Sequence, residues 1–537
     1  MTAVHAQVPD AAFDGGDLDC GNGLLLLIRQ HIDPLRRGQL LEIISTEGSV
    51  REDLPAWCRL TKNELVSVAS AGAATSFLVC KGTLAERAVA PASNPPVSVA
   101  PARVAVSITI PERLPKPAPA PVIAPLSVMG IGSWPRPRWL LRALHEHMEG
   151  RLPDAEFHAT ADDAVRLAVN AQLRAGVNVV TDGEQRRDSY ASFVASRLDN
   201  CQLIPLTDLL PLVGDPEAFE RELRALDVPA GEVRHPAVFG RLGRSKPIAL
   251  HEAQFAMSLT TRPLTVALPG PYLLARTMWM ECISDRAYQS REDIANDIVR
   301  VLREELAELL AAGVAMVQFD EPVLSEVVFS GPRQSRSFMC GVLSESADTA
   351  SELAFARDLV NAVTSGFPLD RVALHLCRGN WTPDESTCLT GDYTALAPTL
   401  AQMQVGTCLL ELCTPRTGEV LALRSLPDDR RVGVGVVNQK HARIETCEQI
   451  MAKAEAAIAM FGAERVLLHP DCGFATFADN PVSPAAIAEQ KLRVAGSPRT
   501  HRPRRCSCTS CCADARRRAQ SRAGCTGRRP QRPGRRP

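Results

Sequence analysis

The chain has 537 residues, of which 45% are hydrophobic, so it is long enough for more than one domain and for a large buried core. It has no run of about 18 apolar residues, so we expect no membrane span, and residues 1–16 lack the basic-then-apolar order of a signal peptide. The net charge of −1 hides an acidic body of −13 over residues 1–493, which argues against a nucleic-acid partner for that part.

Residues 18–83 are predicted to form a small α/β domain. Their apolar spacing predicts helices at 24–32 and 50–60, a strand at 39–45, and paired strands at 64–69 and 76–80. The segments GQLLEI (38–43) and DLPAWC (53–58) resemble the TusA-like sulfur-carrier proteins. The resemblance covers this whole unit.

The sulfur-carrier resemblance implies a persulfide on Cys20 and a sulfur-relay partner. In that family the cysteine lies at the N-terminus of the first helix, where the helix dipole lowers the pKa of a thiol. Here Gly-Asn-Gly follows Cys20 where the family has Pro-x-Pro, and Cys20 lies one residue further from Arg29 than the family spacing. Two interpretations stay open: a carrier thiol, or a relic within an interaction module.

Residues 84–126 alternate Pro and Ala and contain few large apolar side chains. Such a composition cannot bury a core, so it predicts a stiff, extended linker. A short strand at 104–110, paired with either neighbour, is the alternative.

Residues 127–493 are predicted to form a (β/α)8 TIM barrel, which gives an α/β fold overall. Eight short apolar runs alternate with amphipathic helical patterns, the arrangement of strands and helices in such barrels. The runs are residues 128–133, 177–181, 264–270, 314–320, 372–377, 408–411, 432–437 and 466–469. Polar or metal-binding residue types end these runs, at the strand ends where barrel enzymes place their chemistry.

A metal site is predicted from the end of the fifth run. His375 and Cys377 lie two apart on a strand and therefore point to the same side. Imidazole nitrogen and thiolate sulfur are preferred zinc ligands. Glu411 and Cys472 follow later strands and complete four candidate ligands. The alternative for the pair alone is a core histidine beside a buried cysteine.

Residues 128–493 resemble the catalytic barrel of cobalamin-independent methionine synthases. The resemblance rests on IGS (131–133), DGEQR (182–186), FDEP (319–322) and the four candidate ligands. It implies that Ile131 and Ser133 hold the homocysteine carboxylate, and that Glu184 and Asp320 hold its ammonium group. It also implies that His375, Cys377, Glu411 and Cys472 bind Zn²⁺, and that Asp320 and Lys440 are catalytic.

The chemistry of these residues agrees with a thiol methyltransferase. Zinc deprotonates a bound thiol, and the thiolate is the nucleophile. Four protein ligands describe a closed site, whereas a catalytic site keeps one position open. We therefore expect Glu411, the hardest ligand, to yield its position to the substrate sulfur. The predicted activity is zinc-dependent methyl transfer to homocysteine or a similar small thiol, most simply as a methionine synthase.

The methyl donor stays open between a methylated folate and a methyl-corrinoid protein. The long form of the family has a second, N-terminal barrel, which the sulfur-carrier-like unit replaces here. The third run ends in LPGPY (268–272) without the expected tryptophan, and Lys440 stands near the position of a catalytic-loop histidine. The alternatives are a zinc thiol alkyltransferase with another acceptor, a sulfur-trafficking protein using Cys20, and a non-catalytic scaffold.

Residues 494–537 change composition abruptly to Arg, Pro, Ser and Cys, with thirteen arginines and one aspartate. Three interpretations apply: a basic nucleic-acid arm, a cysteine-rich metal knuckle, and the product of a frameshift in GC-rich DNA. We expect this tail to be disordered. Five of the seventeen cysteines lie here and the others are scattered, which is typical of reduced thiols and a cytoplasmic enzyme.

Overall fold

The computed structural model describes residues 5–72, 74–87, 109–205, 234–279, 287–329, 348–380, 383–478 and 481–496. Residues Met1–Gly496 group into one compact unit. Most of the predicted tail, from residue 497 onwards, and residues 88–108 of the predicted linker lie outside the described residues. Within the described residues, we find no helix long and apolar enough to cross a membrane.

The N-terminal part is a four-stranded sheet with two helices on one face. The sheet order is β1-β2-β4-β3, with β1 parallel to β2 and the other pairs antiparallel. The apolar face of the sheet packs against both helices in one core, which includes Phe13, Leu26, Leu54 and Phe77. The elements are β1 (Ala11–Gly16), α1 (Leu25–Ile32), β2 (Leu40–Ser45), α2 (Val50–Leu60), β3 (Glu64–Ala71) and β4 (Ala74–Cys80), followed by the short α3 (Leu84–Arg87).

The predicted helices and strands of this part all form, but strand β1 was missed and the domain begins before residue 18. The segment Ala11–Gly16 has the sequence AAFDGG, which offers few β-branched or aromatic residues. It becomes a strand because it pairs with β2, in register from Ala11 opposite Leu41. Pairing with a distant segment overrides the weak local preference.

The N-terminal part shares its core with a β-hairpin of the remaining described chain, residues 109–496, hereafter called the catalytic part after its predicted activity. The hairpin consists of the antiparallel strands β5 (Asp199–Pro205) and β6 (Arg234–Gly243). Ile204, Ala237 and Phe239 of this hairpin join the apolar core beneath α1. Nε2 of Gln202 also donates hydrogen bonds to the Arg29 carbonyl and to Asp33, both at 2.9 Å. The two parts therefore meet in a packed and hydrogen-bonded interface.

The catalytic part contains a six-stranded parallel sheet in the order β12-β11-β10-β9-β8-β7. All of its strands are short and almost wholly buried, as expected where helices cover a parallel sheet. This supports the predicted α/β class. The strands are β7 (Thr265–Pro269), β8 (Met316–Asp320), β9 (Val372–Leu376), β10 (Thr407–Leu410), β11 (Arg431–Val437) and β12 (Val466–Pro470).

The first two predicted barrel strands form isolated parallel bridges rather than full strands. Val128 bridges to Leu468 of the edge strand β12, and Met129 bridges to Val179. Val180 in turn bridges to Leu264, which directly precedes the other edge strand, β7. The two edges of the six-stranded sheet are therefore connected through residues 128–129 and 179–180.

Helices surround this sheet, and side-chain caps begin several of them. The Ser290 hydroxyl accepts a hydrogen bond from the Asp293 amide, and Thr446 with Gln449 forms a capping box. The helices are α4 (Arg138–Met148), α5 (Asp154–Ala175), α6 (Leu250–Ser258), α7 (Pro271–Met278), α8 (Arg291–Ala311), α9 (Pro322–Phe329), α10 (Thr349–Thr364), α11 (Ala397–Gln402), α12 (Cys447–Phe461) and α13 (Ala485–Gly496).

The second half of the predicted linker lies on the catalytic part. Residues 109–126 contain no helix or strand, as predicted for an extended segment. However, Ile123 is buried in a small apolar cluster with Met129 and Met316, and the Ala118 amide donates to the Leu310 carbonyl at 3.0 Å. This half of the linker is therefore packed on the surface of the catalytic part, because one large apolar residue and backbone hydrogen bonds hold it in place.

Candidate functional site

Three of the four predicted metal ligands meet at the carboxyl ends of the parallel strands. Donor atoms of His375, Cys377 and Cys472 all lie within 4.8 Å of one another. The two sulfurs are 3.5 Å apart, and Cys472 Sγ is 3.6 Å from His375 Nε2. Two sulfurs bound to one tetrahedral zinc lie about 3.8 Å apart, so this donor set has the size and chemistry of a zinc site.

Neighbouring backbone groups orient the donors. Nδ1 of His375 lies 3.1 Å from the Leu409 carbonyl, which makes Nδ1 the donor and leaves Nε2 facing the two sulfurs. The Gly379 amide donates to Cys377 Sγ at 3.3 Å. A hydrogen bond from Cys472 lowers the pKa of Cys377, whereas the pKa of Cys472 is raised. One thiolate is thus favoured by the protein itself.

Glu411 lies beside this cluster but is engaged elsewhere. Its Oε1 accepts a hydrogen bond from the Arg378 amide at 2.7 Å, and its Oε2 pairs with Arg416 at 2.8 Å. Its charge nevertheless influences His375, Cys377 and Cys472, so the carboxylate is near them. Within the described residues, the donor cluster contains three of the predicted ligands, and Glu411 stands next to it.

The predicted substrate-binding residues line one pocket with the donor cluster. Ile131, Ser133, Glu184 and Asp320 all contribute to its wall. Further lining residues that the sequence did not single out are Tyr190, Pro322, Asn380, Gly473 and Thr476. The free volume of this pocket is about 40 Å³.

Glu184 holds an unusual backbone conformation at this pocket. Its φ is +53°, in the left-handed region that non-glycine residues rarely adopt. The Asp182 carboxylate accepts a hydrogen bond from the Glu184 amide at 3.0 Å. Arg136 donates a hydrogen bond to the Glu184 carbonyl at 2.7 Å. A Cβ at Gly132 would lie 2.3 Å from Glu184 Oε1. The glycine therefore makes room for the carboxylate.

The two pocket carboxyl groups, Glu184 and Asp320, are buried and hold protons more tightly than usual. Burial raises the pKa of Glu184 to about 7, with Arg187 opposing the effect. Burial likewise raises the pKa of Asp320 to about 6, against the influence of His375. Glu184 Oε2 has no hydrogen-bond partner among the described residues. A cationic ligand group would satisfy this oxygen and favour ionisation.

Arg187 is a buried cation that sequence reasoning missed. Its guanidinium donates to Glu252 at 2.7 and 2.9 Å and to the Ala267 carbonyl at 2.9 Å. It also lies 3.8 Å from Glu184 Oε1 and 4.1 Å from the centre of the Phe193 ring. The only sequence signal is its place directly after the DGEQR segment. Arg416, which pairs with Glu411, and the pocket residue Asn380 were missed in the same way.

Lys440 does not line this pocket. It is buried, and its amide donates to Asn438 Oδ1 at 2.9 Å. Burial raises the pKa of Cys388, and the charge of Lys440 opposes this, so the two side chains are near each other. Lys440 is therefore outside the described lining of the pocket, and its predicted catalytic role stays a prediction.

Cys20 lacks the activation that the sequence predicted. It lies at the start of a π-helical turn (Cys20–Leu24) and is buried in the core of the N-terminal part. Burial, together with the nearby Asp53, raises the pKa of the thiol to about 12. Burial thus opposes the lowering expected at a helix N-terminus, because it removes the solvation that a thiolate needs. The predicted carrier role of Cys20 stays a prediction.

Comparisons with known proteins agree with this site. Residues 228–489 match the family described as "Cobalamin-independent synthase, Catalytic domain", as predicted from the motifs. Methionine synthase of Sulfurisphaera tokodaii is 29% identical over 67% of this chain and 88% of that protein. Methionine synthase of Sulfolobus acidocaldarius is 27% identical over the same shares.

Two solved structures share the fold. A B12-independent methionine synthase from Shewanella sp. W3-18-1, in complex with selenomethionine, has a TM-score of 0.52 and 21% identity, covering 74% of this chain and 100% of that chain. A protein from Listeria monocytogenes described as a vitamin-B12 independent methionine synthase has a TM-score of 0.50 and 18% identity, covering 70% and 97%. The residues that match the family model, 228–489, lie after the N-terminal part, whose predicted sulfur-carrier identity stays a prediction.

Proposed function

We propose that this chain is a methionine synthase that moves a methyl group to the sulfur of homocysteine, since residues 228–489 match the catalytic domain of cobalamin-independent synthases. Curated relatives named methionine synthase, and the two solved structures, support this class of S-methyltransferase. The observation that carries the proposal is the cluster of His375, Cys377 and Cys472 in one pocket with two buried carboxyl groups.

The metal in this proposal is zinc. The donor set of one imidazole and two thiols favours zinc among the common metals. When bound, zinc would supply the positive charge that converts a substrate thiol into a thiolate at neutral pH. His375, Cys377 and Cys472 would hold it, with Glu411 as a fourth ligand in the absence of substrate. The need for reduced cysteines supports a cytoplasmic location.

Glu411 is suited to giving up its position. Its carboxylate already has an alternative place, between the Arg378 amide and Arg416. Moving there costs little, because the buried charge stays paired with a guanidinium. With zinc bound at His375, Cys377 and Cys472, Glu411 could thus leave the metal for the side of Arg416, and one ligand position would be open for the homocysteine sulfur.

The pocket residues bind the amino-acid end of the substrate. Glu184 and Asp320 pair with the ammonium group, since both carboxyl groups are buried and Glu184 Oε2 lacks a partner among the described residues. Ser133 lies next to Gly473 and offers its backbone N–H and hydroxyl to the carboxylate, beside Ile131. Both charged groups at the amino-acid end are then fixed, and the thiol at the other end of the substrate can reach the donor cluster in the same pocket.

In the reaction, the thiol proton is lost, the new S–CH3 bond forms, and the bond between the methyl group and its donor breaks. A methylated folate is the donor consistent with the family, and its nitrogen takes a proton as it leaves. A methyl-corrinoid protein is the second candidate. We expect purified, zinc-loaded enzyme to form methionine from homocysteine with one of these two donors, measured by mass spectrometry. No methionine with either donor would contradict the proposal.

We further propose that the catalytic sheet closes into an eight-stranded barrel. The bridges from Val128 to Leu468 and from Val180 to Leu264 support this closure, because they connect its two edge strands. A closed barrel gathers all eight strand ends around one opening. This accounts for the convergence of residues that are as distant in sequence as Ser133 and Cys472.

The affinity for methionine is expected to depend on pH through Glu184. Burial raises the pKa of its carboxyl to about 7 in the free enzyme. Only the ionised form attracts the ammonium group, so the affinity should fall as the pH drops below 7, by up to about tenfold per unit. Calorimetric titration with methionine over this range measures it, with zinc content checked at each pH. A Glu184→Gln variant should bind weakly with a flatter profile, and an unchanged profile would contradict the assignment.

Sulfur trafficking through Cys20 is the second candidate function, and the buried position of this thiol argues against it. We expect a Cys20→Ser variant to transfer methyl groups at the wild-type rate, within about twofold. A Cys58→Ser variant, also buried in the same core, serves as the matched control for packing. If Cys20→Ser lost activity with a free methyl donor and Cys58→Ser did not, the result would support a sulfur-carrier role for Cys20.

A further inference from the structure

A large cleft lies between the N-terminal part and the catalytic part, away from the pocket described above. Its volume is about 1150 Å³. One wall comes from α1 and from the residues that flank the β3–β4 hairpin, such as Lys62 and Lys81. The other comes from α4, α5 and the loop that carries Arg186 and Arg197. None of the candidate metal ligands or pocket residues lines this cleft.

The lining of this cleft is rich in cations. Among the described residues, nine lysines and arginines and five acidic residues line the cleft, although the body of the chain is acidic as a whole. Some cations are neutralised locally, as in the pairs Arg37–Glu86 and Arg29–Asp33. Others have no ion pair with a carboxylate among the described residues; they are Lys62, Lys81, Arg197 and Lys246. The cleft therefore carries an excess of positive charge within an acidic protein.

Arg186 adds a buried guanidinium, one nitrogen of which lacks a hydrogen-bond partner among the described residues. Its side chain is only 4% exposed, and it pairs with Asp162 through Nη2. Its other terminal nitrogen, Nη1, has no hydrogen-bond partner within the described part of the chain. A buried donor without a partner is unfavourable, so an acceptor at this position is to be expected.

Two groups of cations in the cleft bring like charges close together. Burial lowers the pKa of Lys81; the charge of Asp33 opposes this, and the charges of Arg29, Arg37 and Arg234 add to it. Burial also lowers the pKa of Arg197; the charge of Glu252 opposes this, and the charge of Arg186 adds to it. An anion in either place would relieve the repulsion.

We propose that this cleft binds a small polyanion, whose carboxylate or phosphate groups are spaced to meet both groups of cations. The cavity is large enough for such a molecule and has the dimensions of an ordinary ligand site. A long nucleic acid is disfavoured, because the acidic body around the cleft would repel the strands leaving it.

The site is connected to the catalytic pocket by one short segment. Residues 182–190 place Glu184 and Tyr190 in the pocket, and place Arg186 and Asp188 in the cleft. A ligand that fixes Arg186 therefore fixes the loop that carries the pocket carboxylate. The binding itself is independent of methyl transfer and is measured without it.

Calorimetric titration of the full chain with inorganic tripolyphosphate and with a hexaglutamate peptide tests this proposal, at low and at high salt. We expect one of the two probes to bind at low salt and to weaken at high salt. The stronger probe distinguishes a phosphate-bearing ligand from an oligocarboxylate. Binding of neither probe would overturn the proposal, as would binding of a single-stranded oligonucleotide that neither probe displaces.

Variants locate the binding. The double variant Lys62→Gln/Lys246→Gln removes two exposed cations of the cleft, and we expect it to weaken binding about tenfold, or about threefold for each charge. Arg197→Gln should weaken anion binding at the group that contains Arg186 and Arg197. Lys116→Gln removes an exposed lysine outside the cleft and is the matched control. Equal binding by the double variant and the control would place the anion elsewhere and overturn the proposal.

The connection between Pro205 and Arg234 provides a further arm of the test. Residues 206–233 lie outside the described residues and contain seven acidic and two basic side chains. A variant with these acidic residues changed to amides tests whether the segment itself occupies the cleft. If this variant bound a probe and wild type bound neither, the segment would be the occupant and the ligand proposal would be wrong. Binding by wild type at an affinity like that of the amide variant supports the external ligand.

Discussion

A Cys472→Ser variant is expected to lose its zinc and its methionine formation together. The thiol lies 3.5 Å from Cys377 Sγ and 3.6 Å from His375 Nε2, so it belongs to the centre of the donor cluster. A serine hydroxyl is a far weaker zinc ligand than a thiolate. Without the metal, the substrate thiol stays largely protonated, and we expect activity to fall by about 10³-fold or more.

Zinc content by plasma mass spectrometry and methionine formation are measured on the same preparation. A Cys447→Ser variant is the matched control, because Cys447 is a free cysteine at the start of α12, outside the donor cluster. It should keep both metal and activity. Full activity of Cys472→Ser with normal zinc content would show that the ligand assignment is wrong.

An Arg187→Met variant is expected to lose about 3–5 kcal/mol of unfolding free energy. The guanidinium is wholly buried and neutralises Glu252, which it contacts at 2.7 Å. Replacing it with an apolar side chain of similar length leaves a buried carboxylate without its counter-charge, which is the costly case among buried ion pairs. The same loss should raise the pKa of the neighbouring Glu184 further, because Arg187 opposes the effect of burial there.

Urea denaturation followed by circular dichroism measures this cost. Arg142→Met is the matched control, because Arg142 forms an exposed pair with Glu146, and its loss should cost no more than about 0.5 kcal/mol. The double variant Arg187→Met/Glu252→Leu removes both charges and should recover much of the stability. If Arg187→Met were as stable as Arg142→Met, the buried pair would not have the importance assigned to it.

The donor cluster was predictable from sequence because strand geometry determines it. His375 and Cys377 lie two apart and must share one side of the strand end, and Cys472 follows another strand of the same parallel sheet. The ends of parallel strands lie along one edge, which places these residues on the same side of the sheet. Strands β10 and β11 separate β9 from β12, so the contact between the donors also requires the sheet to curve. The position of Glu411 was less predictable, since its partner Arg416 comes from a loop whose conformation has no sequence period.

The features that sequence reasoning missed depend on tertiary contacts. Strand β1 forms only because β2 is available to pair with it. The buried thiol of Cys20 looked like a helix-terminal nucleophile in sequence, but the packing of α1 against the sheet removes it from solvent. The shared core between the N-terminal part and the β5–β6 hairpin has no sequence signature. The apolar pattern of each partner is that of an ordinary strand or helix and does not indicate which segment it packs against.

X-ray absorption spectroscopy at the zinc edge, with and without homocysteine, tests the central claim most directly. For the free enzyme we expect two sulfur ligands with one nitrogen and one oxygen, from the two cysteines, His375 and Glu411. With homocysteine we expect a third sulfur in place of the oxygen, as Glu411 moves to Arg416. An unchanged set of two sulfurs in the presence of saturating homocysteine would show that the substrate thiol does not bind the metal, and would contradict the account.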